Sequence, residues 1–359
     1  MRLFRIQPIN PIHMKTRYAI FLCLLLLLAN CKNPTPTTKK TTPTPAQMVF
    51  TADVENFWVA HDKIRATKDA SKHLRILHEE FLDKGTPGLT AIMQARRYRP
   101  QEYVDMINNY PKLWKSIREQ TFLYKGLSQD IDGGIERLKA IYPDLKPAQV
   151  YFTIGVFRTG GTTMDNKVLI GVETGFGDKH VDVSELPDSL DYIKRFWAAK
   201  DKPVDNFALT NVHEYVHTQQ RQNLEANLLG VCVFEGIAEF VSTLAMGLDI
   251  SPAPAVHYGK QNAKAVRDAF EKDLFSHDYG FWVWSDANNK FNTRDLGYYI
   301  GYEMAEKYYA KAENKKTAIK EMIELDLYNL ADIEAFATES GFFDKSIDEL
   351  KANYAKLQE

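Results

Sequence analysis

Apolar positions along this chain recur in two rhythms, and the change between them divides it. Through 48–145 the spacing is three and four. It runs through Phe57, Trp58 and Ile64, then Leu74, Leu77 and Phe81, then Trp114, Ile117, Phe122 and Leu123. That is the signature of amphipathic helices. Thr51, Ser71 and Thr86-Pro87 supply helix starts. The segment reads as a helical N-terminal region whose aromatics form core. From Gln149 to Val156 the residues turn β-branched and aromatic. Gly160-Gly161 and Asp165-Asn166 mark a turn region, and Val168 to Glu173 resumes the apolar pattern, which predicts a β-hairpin with Glu173 as a strand-end carboxylate.

Helical spacing then returns. A helix is expected over Ser184 to Lys200, with Pro187 near its start, and Pro203-Val204 breaks the chain after it. Asp205 to Gln222 reads as a helix capped by Asp205 or Asn206, with apolar Phe207, Ala208, Val212, Tyr215 and Val216. A turn near Asn223 leads to an antiparallel helix over Glu225 to Met246. Pro252 and Pro254 mark a loop, and a further helix is expected near Gln261 to Phe275. Ser276 to Asn292 is irregular and aromatic, with His277, Tyr279, Phe281, Trp282 and Trp284. These residues either line a substrate pocket or pack an edge of the domain. Another helix opens at Arg294. Thr317 to Glu359 reads as two or three amphipathic helices, with Leu325, Leu327, Leu330, Ile333 and Phe336 as core and Lys345 and Asp348 as solvated charges. The fold class expected is α+β and mostly helical, with a short hairpin or sheet edge.

The first thirty residues follow neither rhythm. Met14-Lys15-Thr16-Arg17 is positive and Ala19 to Ala29 is apolar. That run is shorter than the roughly twenty residues needed to span a bilayer, so residues 1–30 read as a secretory signal. The signal ends Leu28-Ala29-Asn30-Cys31, which resembles a bacterial lipobox with Cys31 as the lipidated residue. Residues 31–47 are rich in Pro and Thr and read as a semi-extended tether. The localisation expected is a lipid-anchored protein of the cell envelope, facing the periplasm or the cell surface.

Composition excludes little but sharpens the picture. At 359 residues and 45% hydrophobic content the chain can bury a sizeable core. A net charge of −2 gives no electrostatic footprint for nucleic acid. No internal repeat at solenoid periods is evident. Of three cysteines, Cys23 lies in the signal, Cys31 at the anchor, and Cys232 alone in the body as a small core residue.

The candidate chemistry lies in the helix pair. His213-Glu214-Tyr215-Val216-His217 has the H-E-x-x-H form. On a helix the two histidines stand one turn apart on one face and can reach one ion. Glu214 can face the same cleft without binding the metal and take a proton from a bound water. A third ligand is needed. Glu235 falls eighteen positions after His217, with Glu239 one turn further on. Glu235 is the expected ligand, and Glu239 the acceptor for the other ring N–H of a histidine.

Together these residues resemble the gluzincin metallopeptidases, in which a glutamate on the next helix completes the H-E-x-x-H site. The run Phe234-Glu235-Gly236-Ile237-Ala238-Glu239-Phe240 is similar to the N-E-G-F-A-E-Y element of that group, with Phe234 in place of its leading asparagine. The chain also looks like predicted zinc-dependent proteases found as bacterial lipoproteins, including the gliding-motility lipoprotein group. The resemblance implies a zincin-like catalytic domain over 146–359 and a zinc ion on His213, His217 and Glu235. It also implies a strand before the zinc helix that walls the cleft and a tyrosine three residues before a glycine that stabilises the oxyanion. Tyr298, before Gly301, has that spacing, with Tyr299 and His277 as rivals. Gly171-Val172-Glu173 faintly matches the G-x-M-E-N element of aminopeptidases but lacks its methionine and asparagine, so exopeptidase action is not carried over.

The expected activity is therefore hydrolysis of peptide bonds in a peptide or protein substrate. The alternative is a non-catalytic envelope lipoprotein, part of gliding-motility or secretion machinery, that uses a peptidase-like fold to bind protein partners.

Overall fold

The computed structural model describes residues 49–202, 206–223, 225–284 and 289–359. The expected signal, Cys31 and the tether lie outside the described residues.

Helix starts follow local chemistry. After the strand β1 (Val49–Phe50), Thr51 precedes α1 (Ala52–Ala66). Ser71 lies in a short 3₁₀ turn before α2 (His73–Glu80). Thr86 caps α3 (Pro87–Arg96), its Oγ1 accepting from the Gly88 amide at 3.1 Å, and Pro87 fits the first turn, where no N–H is needed. Prolines also open α4 (Pro100–Asn109) and α5 (Pro111–Ile117), and α6 (Ser128–Ile141) completes the N-terminal helices. Their interior is aromatic. Phe57 lies 4.8 Å from Trp114 between ring centroids, and Trp114 lies 5.1 Å from Phe157. The expected boundary at 145/146 thus falls within one continuous core, and Gln47–Glu359 forms one compact unit. Of the expected core residues, Leu74 is 40% exposed.

The sheet has four strands in the order β1-β2-β4-β3, with β2 Gln149–Thr153, β3 Gly161–Met164 and β4 Lys167–Gly171. The expected hairpin needs correction. The segments 149–156 and 168–173 supply neighbouring strands, but β2 and β4 run parallel, with Gln149 opposite Lys167 and Thr153 opposite Gly171. The hairpin is β3 with β4, antiparallel through the tight turn at Asp165-Asn166, where Asp165 takes φ 53°. Between β2 and β3 the chain reverses at Val156 (φ 42°) and Phe157 (φ 62°), which carries β3 past β4 to the outer edge. Glu173 is not a strand end. It lies in the short helix α7 (Val172–Phe176), fully buried, and accepts hydrogen bonds from the Gly155 and Phe157 amides, each at 2.9 Å.

The expected helix over 184–200 is shorter: a 3₁₀ turn at Asp188–Leu190, then α8 (Asp191–Ala198). The helix that carries the H-E-x-x-H run, α9, spans Phe207–His217 and stops five residues before the expected Gln222. Thr218 turns its hydroxyl back on the Tyr215 carbonyl at 2.7 Å, a side-chain bond that competes with helix continuation. Asn206 precedes the helix in the left-handed conformation without a side-chain cap, and Asp205 lies outside the described residues. The partner helix α10 (Leu228–Ala245) is capped by Asn227, which accepts from the Gly230 amide at 3.0 Å. By length and hydropathy α10 could cross a membrane, yet 94% of it is buried inside the protein, so here it is the central core helix.

The region after Pro252 holds two helices where one was expected, α11 (Pro254–Gln261) and α12 (Ala263–Phe270), joined at Asn262. Then α13 (Leu296–Lys311) packs along α10. The chain ends in α14 (Lys315–Ile323), α15 (Leu330–Ser340) and α16 (Ile347–Leu357). Leu327, Ile333 and Phe336 are core as expected, whereas Leu330, at the first turn of α15, is 45% exposed. The whole is an α+β fold, mostly helical, with a small mixed sheet.

Candidate metal centre

Two helices converge on one buried point. Helix α9 supplies His213 and His217 from one face, and α10 supplies Glu235. His213 Nε2 and His217 Nε2 lie 3.0 Å apart. Glu235 Oε2 is 3.2 Å from His217 Nε2 and 3.5 Å from His213 Nε2. Three ligands held tetrahedrally at about 2.0–2.1 Å from one ion would stand about 3.3 Å from each other. The spacing of these atoms therefore suits a single cation of zinc's size, and two imidazoles with a carboxylate suit a borderline first-row divalent ion.

The field at this point favours positive charge. Burial pushes Glu235 up, but the charges of His217 and His213 and their hydrogen bonds outweigh it and hold the carboxyl below its ordinary value. Burial pushes His213 down, yet Glu235 and Glu239 beside it raise it to about 10. Glu239, also buried, is held low: burial would raise it, but the pairing with His213 and the Ser251 hydroxyl prevail.

The outer partners are specific. His213 Nδ1 lies 3.1 Å from Glu239 Oε2, and the Ser251 hydroxyl donates to the other oxygen of Glu239. His217 Nδ1 is 2.8 Å from Gln220 Oε1, and the Gln220 amide donates to the Phe234 carbonyl at 3.2 Å. Each ring therefore has its outer nitrogen turned to a side-chain oxygen, which leaves Nε2 to face the shared point. Phe234 stacks on His217 with centroids 4.1 Å apart and planes at 19°.

Glu214 stands on the side of α9 that meets β3. A Cβ on Gly161 would fall 2.5 Å from Glu214 Oε1, so this carboxylate occupies the space that the glycine leaves. Burial raises the Glu214 carboxyl, against the lowering charges of His217 and His213. Tyr298, in the first turn of α13, stacks over His213 with ring centroids 6.1 Å apart, and its hydroxyl lies near the Glu235 carboxylate. Burial foremost, then the Glu235 charge, pushes that hydroxyl well above its ordinary value.

The structure thus brings His213, Glu214, His217, Glu235, Glu239 and Tyr298 together. It separates the rivals of Tyr298. Tyr299 packs against Gly259 of α11, and His277 is exposed. Cys232 is fully buried against Gly297 and is not among the three converging ligands. Three contributors were not read from the sequence: Gln220, Ser251 and Gly161. Gln220 follows His217 by three positions, a helical spacing that could have marked it. Ser251 and Gly161 come from other elements and carry no local signal. No protein-family model, curated protein or solved structure matches this chain.

Proposed function

We propose that this chain is a zinc-dependent peptidase of gluzincin type, with a zincin-like domain anchored to the cell envelope through lipid on Cys31. The observation that carries the reading is the triangle of His213 Nε2, His217 Nε2 and Glu235 Oε2, sized for one tetrahedral ion. The lipid anchor is supported by the Leu28-Ala29-Asn30-Cys31 run alone.

A bound zinc ion would supply a water of near-neutral pKa and positive charge opposite a developing oxyanion. The residues supply the rest. Glu214 is free of the ligand triangle and adjoins it, so it takes the proton of the attacking water and passes it to the leaving amine. The Tyr298 hydroxyl donates to the oxyanion in a site shielded from water. Strand β3 is the outer strand of the sheet and begins at Gly161 beside Glu214. A peptide paired to its open edge would run past the general base with its amides held.

The test is zinc content of the purified chain beside His217→Ala, together with hydrolysis of a peptide library by the parent, Glu214→Gln and Tyr298→Phe. The expected result is one zinc per chain, lost in His217→Ala and kept in the other two. Turnover should fall about 10²–10³-fold in Tyr298→Phe and vanish in Glu214→Gln. A folded parent that takes up no zinc would sink the mechanism and favour the protein-binding lipoprotein. Activity in Glu214→Gln proportional to its zinc would refute the general-base role.

A further inference from the structure

Helix α3 crosses the sheet on the face opposite α9. Successive side chains of β2 point to opposite faces. A Cβ on Gly88, in the first turn of α3, would run into the Tyr151 ring, whereas the next side chain, Phe152, packs on Phe207 of α9 with centroids 5.5 Å apart. From β2 the helix runs outward, packing on β4 and β3 as well. At its last residue the Arg96 carbonyl accepts from Arg158 Nη2 at 3.2 Å, and Arg158 stands just before β3 opens at Gly161. From Gly88 to Arg96 a helix rises about 12 Å. The two strand spacings from β2 to β3 come to about 10 Å. So α3 starts over β2 and delivers its C-terminal end to the outer edge of the sheet.

That end reads Arg96-Arg97-Tyr98-Arg99. The side chains of Arg96, Arg97, Arg99 and Arg158 are exposed. Among the described residues, the one carboxylate paired with these guanidinium groups is Glu102. Its Oε2 lies 3.6 Å from Arg158 Nη2 and also accepts from the Arg99 amide at 2.6 Å. Four positive charges thus face one negative charge, on a chain whose net charge is −2. The cluster is fastened to the strand. Tyr98 is buried, its hydroxyl donates to Thr159 Oγ1 at 2.7 Å, and Arg158 lies 4.5 Å over its ring. Arg97 holds the left-handed position after α3, at φ 53°, where helices commonly place glycine. The Arg96 charge also reaches Glu214 and helps to lower its carboxyl.

We propose that this arginine cluster receives a carboxylate of a peptide paired to the edge of β3. The proposal rests on the peptidase reading and adds a substrate class to it, an acidic peptide. Side chains of a strand added at that edge point alternately to the two faces of the sheet. Those on the α9 face meet Glu214 and the metal centre. Those on the α3 face meet the arginines, whose planar forks fit a carboxylate with two parallel hydrogen bonds. Selection therefore falls on the neighbours of the residue that faces the metal. A side-chain carboxylate and the peptide's own C-terminal carboxylate share this chemistry, and the test separates them.

The experiment measures fluorescence anisotropy of three labelled peptides with the metal-loaded full chain. One alternates Ala and Glu and ends in an amide. The second has Gln for Glu, and the third is the Gln peptide with a free C-terminal carboxylate. The same peptides are given to Arg96→Gln with Arg97→Gln and to Arg96→Glu with Arg97→Glu, and their cleavage is followed by mass spectrometry. The Glu peptide should bind the parent about fivefold more tightly than the Gln amide at low salt, and the preference should shrink as salt is added. It should vanish in the Gln variant and invert in the Glu variant, with zinc content and unfolding temperature unchanged. A free-carboxylate Gln peptide that binds as tightly as the Glu peptide supports the site and assigns it to the chain terminus. Equal binding of all three peptides, or a preference that survives both double substitutions, overturns the proposal. So does binding to phosphatidylglycerol vesicles that is lost in the variants while no peptide is preferred, because the cluster then serves a membrane surface. Cleavage of all three at equal rates overturns it while leaving the peptidase reading intact. Preferential binding of the Glu peptide without cleavage supports the cluster and counts against the peptidase reading instead.

Discussion

Gly236 and Gly301 meet backbone to backbone: a Cβ on Gly236 would fall 2.1 Å from the carbonyl carbon of Gly301. This contact sets the distance between α10 and α13. One residue before Gly236 stands Glu235, and one turn before Gly301 stands Tyr298. The close approach brings the first turn of α13, with Tyr298, beside the Glu235 carboxylate. The spacing of tyrosine to glycine in the sequence thus has a physical cause, because the glycine lets the helix that carries the tyrosine lie close against α10.

Gly301→Ala should therefore damage fold and site together. The added methyl would lie 1.8 Å from the Cys232 carbonyl oxygen, a backbone atom that cannot swing away. We expect a loss of about 3 kcal/mol or more by denaturant unfolding. Gly126→Ala is the control, with open space around the new Cβ, and should change stability by no more than about 0.5 kcal/mol. Equal effects at the two positions would show that α10 and α13 slide apart at little cost.

The outer partners of the histidines should tune metal affinity. Glu239→Gln weakens the partner of His213, and Gln220→Leu removes the partner of His217. Each substitution should lower zinc affinity about 10–100-fold, read by competition with a chromogenic chelator. Unchanged affinity in both would mean that the rings are oriented by packing against Phe234 and Tyr298 alone.

Glu173 should give the protein a distinct pH signature. Burial raises this carboxyl to about 7, against the lowering effect of the backbone amides that it accepts from. Its ordinary value is 4.5. The folded chain therefore binds this proton more tightly than the unfolded chain does. The stability due to it is fully present below pH 4.5 and is lost as pH rises through 7. Relative to Glu173→Gln, which has no such proton, the parent should lose about 2–3 kcal/mol of unfolding free energy between pH 5 and 8. A constant difference across that range would mean that the bonds from Gly155 and Phe157 hold the carboxylate ionised throughout.

The sequence revealed the part of the site that is local. His213, Glu214 and His217 are fixed by helical geometry within five residues, and Glu235 and Glu239 by the same geometry on the next helix. It was less informative where partners are distant. Strand periodicity shows which residues face the core and says nothing about the direction of a neighbour, so β2 and β4 read as a hairpin although they are parallel. The true edge, β3, is short and built of Gly161, Thr162, Thr163 and Met164, with no buried run to announce it. The end of α9 was overrun because the hydroxyl of Thr218, bonded back to Tyr215, does not disturb the apolar pattern. Leu74 and Leu330 fit a helical stripe, but each sits where no other element covers it.

The strand order has a mechanical consequence. Val49 and Phe50 form one edge of the sheet and β3 forms the other. Between them lie three strand spacings, about 14 Å. Val49, the first described residue, stands on the edge remote from Glu214. Val49 and Phe50 are held there by the two-residue ladder of β1 on β2, the shortest in the sheet. A load applied there would pass to that ladder and to α1 rather than to β4 and β3.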